Sequence, residues 1–109
     1  KHTVLLQDVD NYLKKLKKKY YCIILSNTYS SFPLKRRTKI GECLINLLWE
    51  EGFLLIFDCI FNPNNFKQKE SVNDLLNSIK KQFKLSFVKN IFQSKETKDE
   101  LYLIIAKKK

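Results

Sequence analysis

Lys35, Arg36, Arg37 and Lys39 crowd one short stretch around Thr38, and Lys14, Lys15, Lys17 and Lys18 crowd another. Dense cationic clusters of this kind suit phosphate groups, and a formal net charge of +10 over 109 residues adds a long-range field of the same sign. The first cluster surrounds the expected start of a helix, whose unpaired N–H groups also favour an anion. Thr38 either caps that helix or touches a phosphate itself. Tyr29 and Phe32 stand beside the cluster and either stack on an unpaired base or enter the core. Phosphate contacts fix position and affinity without reading sequence.

Residues suited to covalent or acid–base chemistry are sparse. His2 is the only histidine, at the chain end where mobility is expected, and no Ser/His/Asp or Cys/His set is built on it. Gly41 and Gly52 are isolated, so no glycine-rich phosphate loop exists. Glu50 and Glu51 point to different sides of an expected helix end and make no acid–base pair. Asp58, in an apolar run, reads as an outward or hydrogen-bonded side chain. Cys22, Cys43 and Cys59 are odd in number and widely spaced, which argues against a disulfide framework and a zinc site. Each sits in an apolar run and is expected to be a buried thiol. The expectation is a protein that is not an enzyme and needs neither metal nor cofactor.

The elements that must position these residues follow from periodicity. Leu6, Val9, Leu13, Leu16 and Tyr20 form one stripe of a helix from Thr3 to about Lys19. Tyr20 to Leu25 and Thr28 to Phe32 are alternative first strands, and propensity does not choose between them. Ile40, Cys43, Leu44, Leu47 and Leu48 define a second helix, capped at Thr38 and ending at Glu51, with Gly52 left-handed in a Schellman cap. Ile45 and Trp49 fall on its other side, where they either contact a partner or pack under a later segment. Phe53 to Phe61 reads as a strand. Ser71 caps a third helix to about Phe83, Lys84 to Phe92 is a strand or extended segment, and Leu101 to Ala106 is a closing strand. The longest apolar run is far short of the ~20 residues a membrane helix needs. Lys-for-Arg and Asn-rich usage points to an AT-rich genome such as an organelle's. No methionine occurs, so the start is expected to be processed or trimmed.

Pro33, Thr38-Lys39 and Glu50-Glu51-Gly52-Phe53-Leu54, with Asn46 between them, resemble the eighth protein of the bacterial-type small ribosomal subunit. Leu13, Lys15, Leu16 and Lys17 match the pattern of that family's opening helix, and Glu100 to Lys107 looks like its third strand. The resemblance covers about residues 5–61 and 98–108. It implies an α+β domain of helix-strand-helix-strand-strand order, with two helices packed on a short sheet. Residues 1–109 would form this single domain, with a helical insert at about 62–98 between the last two strands. The family's second domain, with its Ser-Thr-Ser-Lys-Gly loop and Gly-Gly-Glu strand, has no match here, and a separate chain beside Leu101–Ala106 is expected to supply it.

On this reading the protein binds small-subunit ribosomal RNA and neighbouring ribosomal proteins in a mitochondrial ribosome, with no membrane and no small-molecule substrate. Lys14, Lys15, Lys17, Lys18, Lys35, Arg36, Arg37, Thr38 and Lys39 would meet the RNA, and Trp49 and Ile45 a partner. The alternatives are a membrane-surface or protein-docking module working through Lys-rich amphipathic helices, and a basic ribosomal protein outside the family.

Overall fold

The computed structural model describes residues 13–27, 29–60 and 71–109. Its elements are β1 (Tyr20–Ser26), a 3-10 turn (Tyr29–Ser31), α1 (Leu34–Leu47), β2 (Leu48–Ile60), α2 (Val72–Lys80), β3 (Phe83–Gln93) and β4 (Glu100–Lys108). The fold is α+β, with one mixed sheet of order β1-β2-β4-β3. β1 runs parallel to β2, and β4 runs antiparallel to both its neighbours. A parallel pair needs a crossover, and α1 supplies it.

Directly paired residues on neighbouring strands point to one side, so the register sorts side chains by face. One row is Leu25, Ile56, Ile104 and Val88, and the next is Ile23, Leu54, Ala106 and Leu85. Ile40 and Leu44 of α1 and Leu75 and Ile79 of α2 pack on these rows, so both helices lie on the same face. Leu13 packs against this same cluster.

Several expectations are met. The first strand is Tyr20–Ser26, and the alternative at 28–32 gives way to the 3-10 turn. Ser71 caps α2, its Oγ accepting from the Asp74 N–H at 3.1 Å. Of the stretch read as an insert, α2 covers the core and β3 is the outer strand of the sheet. The expected first helix lies mostly outside the described residues; residues 13–15 form a helical turn, and 16–19 do not continue it.

The second helix differs. It starts at Leu34 behind Pro33, which offers no side-chain cap, so Thr38 lies inside the helix and caps nothing. It ends at Leu47, and Glu50, Glu51 and Gly52 lie in β2. No glycine has a positive φ, so Gly52 makes no Schellman turn. Its missing side chain serves close packing instead. A Cβ there would lie 3.0 Å from the Trp49 carbonyl oxygen and 3.1 Å from Leu48 Cβ. Leu48 is fully buried, and backbone cannot yield as a side-chain tip can. Gly52→Ala is therefore expected to destabilise the fold by about 1–3 kcal/mol, measured by urea unfolding.

Candidate functional site

In open sheets with parallel strands, ligands bind outside the carboxyl ends of those strands. Here that end is built by the turn after β1 and the end of β2. Asn27 reverses the chain with φ of 53°, a left-handed conformation that Asn tolerates better than most residues. Its N–H donates to the Phe57 carbonyl at 2.6 Å, tying the turn to β2. Tyr29 is fully buried and meets Phe32 edge to face, with ring centres 6.2 Å apart.

A buried polar cluster fixes this turn. Asp58 is fully buried at the carboxyl end of β2. The Ser30 hydroxyl donates to its Oδ1 at 2.8 Å, and the Ser30 N–H donates to Oδ2 at 3.3 Å. Arg37 is 4% exposed. Its Nε donates to the Phe32 carbonyl at 3.0 Å, Nη2 to the Ser30 carbonyl at 3.0 Å and Nη1 to Ser78 Oγ at 3.1 Å. Ser78 Oγ in turn donates to the Leu75 carbonyl at 2.7 Å. The guanidinium also lies 5.6 Å from the centre of the Tyr29 ring. The arrangement holds a turn rigidly and presents Ser26 and Asn27, both exposed, at the sheet's rim.

The remaining groups at this end are poor nucleophiles. Burial pushes the Cys59 thiol up from its ordinary value, and the nearby Asp99 and Asp58 carboxylates push it further, so it stays protonated at neutral pH. Burial raises the Tyr102 hydroxyl likewise, with the Glu100 carboxylate adding to it. Among the described residues no three His, Cys, Asp or Glu side chains form a metal-binding group, and no helix is long and apolar enough to cross a membrane.

The expected phosphate-binding residues do not converge. Lys14, Lys15, Lys17 and Lys18 are exposed ahead of the amino end of β1. Lys35, Thr38 and Lys39 are exposed on α1 past its carboxyl end, with Arg36 half-buried. The first group thus precedes β1 in the chain and the second follows it on α1. Arg37 is committed to the interior. Trp49 and Ile45 also part company. Trp49 is exposed in β2, beside Tyr21 with ring centres 6.1 Å apart and with Lys19 Nζ 5.6 Å from its ring, whereas Ile45 is half-buried on α1 against the core. Cys22 is exposed and Cys59 half-buried, so only Cys43 is the buried thiol expected of all three.

No protein-family model matches the sequence, and no curated protein matches it. Solved structures do. The N-methyltransferase NodS from Bradyrhizobium japonicum, in complex with S-adenosyl-l-homocysteine, superposes with a TM-score of 0.64 at 6% identity, over 87% of this chain and 50% of its own. The magnesium protoporphyrin IX methyltransferase ChlM from Synechocystis, with bound SAM (S-adenosylmethionine), gives 0.58 at 14% identity, over 89% of this chain and 43% of its own. A SAM-dependent methyltransferase from Methanosarcina mazei gives 0.61 at 13% identity, over 88% of this chain and 64% of its own. The likeness is to methyltransferases. It is a likeness of fold, and the chain spans between 33% and 64% of the matched structures' lengths.

This overturns the ribosomal reading. The residues that carried it, Glu50 to Leu54, are not the end of a helix but part of a strand. The fold is shared with methyltransferases, so the expectations of a non-enzyme, of ribosomal RNA and ribosomal proteins as partners, and of no small-molecule substrate lose the resemblance that carried them. The membrane-surface alternative gains no support from the same likeness.

Sequence reasoning missed Asn27, Ser30 and Ser78, and read Asp58 as outward or hydrogen-bonded, of which the second is what the structure shows. A signal for Asn27 was present, since the apolar run from Tyr20 ends in Ser26-Asn27 and marks the carboxyl end of a strand.

Proposed function

We propose that this chain is part of a SAM-dependent methyltransferase and forms one wall of its ligand crevice, at the carboxyl ends of β1 and β2. The observation that carries the reading is the match to SAM-dependent and SAM-bound methyltransferases over 87–89% of the chain. The location of the crevice follows from the general rule for open sheets.

The described residues do not by themselves fit the cofactor. SAM presents a carboxylate, an ammonium group and a ribose diol. The turn after β1 holds no glycine that would let backbone N–H groups close on a carboxylate, since Gly41 and Gly52 lie in α1 and β2. Asp58, a carboxylate that would suit a diol, is fully buried with both oxygens accepting from Ser30. What these residues do is positional. Arg37 and Asp58 hold the turn, and the turn sets the place of Ser26 and Asn27 at the rim. The donors that SAM needs would come from the rest of the fold.

The test is direct. The polypeptide that carries this chain, tagged and purified from its own cells, is irradiated with tritiated SAM and digested. Label on the polypeptide, displaced by excess S-adenosylhomocysteine, is the expected result. Absence of displaceable label at near-millimolar SAM would rule the reading out.

A further inference from the structure

Register sets two lysines face to face where β4 closes on β3. Lys84 and Lys107 are directly paired there. The next pair along is Phe83 with Lys108; Phe83 lies in the core, and Lys108 Nζ donates to the Leu48 carbonyl at 3.0 Å. Neighbouring residues of a strand face opposite ways, so Lys84 and Lys107 stand together on the side away from the helices, both exposed. Directly paired side chains have Cβ atoms about 4.5–5.5 Å apart, and like charges so placed repel. Lys81, exposed in the turn before β3, adds a third ammonium, and Lys109 a fourth, its Nζ lying 3.5 Å from the Lys81 carbonyl. We propose that this corner binds a polyvalent phosphate anion of the pyrophosphate or triphosphate kind, held first between Lys84 and Lys107.

The charge of the ligand follows from the pair. A single carboxylate offsets one ammonium, whereas a di- or triphosphate carries enough charge for both. Lysine serves phosphate as a point charge, without the bidentate geometry of arginine. The size of the ligand follows from what flanks the corner. In the order β1-β2-β4-β3, β2 stands between this corner and the lysines ahead of β1, and Glu50 and Glu51 are exposed at the start of that strand. A long polyanion laid across this end of the sheet would meet both carboxylates, and a compact one stays among the lysines. The corner is also apart from the crevice. Lys107 faces Phe53, and Asp58 lies five residues further along β2, roughly 17 Å away. Nothing in this binding depends on methyl transfer.

The test uses the purified polypeptide that carries this chain, with pyrophosphate and tripolyphosphate as probes against sodium chloride of equal ionic strength. Tripolyphosphate should raise Tm by about 3 °C or more, and pyrophosphate by less. Lys84→Gln and Lys107→Gln should each weaken the apparent affinity about tenfold, while Lys35→Gln, on α1, should leave it within about twofold. Without the probe, Lys84→Glu turns a repelling pair into an attracting one, so it should raise Tm and abolish the response to tripolyphosphate. A rise in Tm matched by sodium chloride, a response that Lys84→Gln and Lys107→Gln leave intact, or a fall in Tm for Lys84→Glu would each overturn the proposal. So would a single-stranded oligonucleotide or a phosphatidylserine vesicle that binds this corner more tightly, per phosphate, than tripolyphosphate does. A response to tripolyphosphate in a polypeptide that takes no SAM label would leave this site standing and remove only the methyltransferase reading.

Discussion

Arg37→Leu should destabilise the fold by about 2–5 kcal/mol, because it strips buried acceptors of their donors while roughly conserving apolar volume. The guanidinium serves the carbonyls of Ser30 and Phe32 and the hydroxyl of Ser78 at once, at 3.0–3.1 Å. Leucine leaves the buried Phe32 carbonyl and the part-buried Ser30 carbonyl without these bonds, each a loss of about 1–3 kcal/mol, less at Ser30 where water can reach. Ser78 suffers less, since its own hydroxyl still donates to Leu75. Arg37→Lys separates charge from geometry. A lysine keeps the cation but lacks the planar fork that reaches three acceptors, so it should recover only part of the loss. The measurement is the urea midpoint at unchanged m-value. A loss below ~0.5 kcal/mol for Arg37→Leu would mean that the turn after β1 is held by the apolar contacts of Tyr29 and Phe32 alone.

Ile104→Ala should be the other large effect, at about 2–5 kcal/mol. Ile104 is fully buried, paired with Ile56 on one side and Val88 on the other, beneath α1 and α2. Its neighbour Ile105 points to the opposite face and is half-buried. Ile105→Ala should therefore lose clearly less in the 109-residue chain. Comparable losses at the two positions would show that the sheet is covered equally on both faces.

The parts of this fold that were legible in the sequence are the ones written locally. The stripe Val72, Leu75, Leu76 and Ile79 behind a Ser71 cap needs only four-residue spacing, and α2 starts where that spacing puts it, although it ends at Lys80 and leaves Phe83, expected on the same stripe, to β3. The apolar run at Leu101–Ala106 is likewise local and falls within β4, whereas propensity left Tyr20–Leu25 and Thr28–Phe32 open as the first strand and the structure takes the former. The second helix was displaced by five residues at its start and four at its end because its apolar period runs on through Leu48 into the strand, so the pattern alone does not mark the change of element. Pro33 was the better boundary signal, since proline suits the start of a helix. Gly52 was misread because glycine stops helices and also permits close backbone packing, and spacing does not distinguish the two. The candidate site was hidden for a different reason. Ser30 meets Asp58 across 28 residues and Arg37 meets Ser78 across 41, and no local pattern encodes such partners. Arg37 shows the hazard of reading charge by cluster. It stands among three exposed or half-exposed cations, Lys35, Arg36 and Lys39, and is itself an interior hydrogen-bond donor.

The position of β4 carries a consequence for how the molecule comes into being on the ribosome. β4 lies between β2 and β3, so neither of those strands has its inner neighbour until residues up to Lys108 have left the exit tunnel. During elongation the nascent chain holds at most the β1–β2 pair and its crossover helix, with β3 unattached. The sheet therefore closes only after release of the segment through Lys108, a late zipping of two antiparallel ladders at once. A chain built this way exposes the apolar faces of β2 and β3 until β4 emerges, and chaperone holding at that stage would bear on its yield.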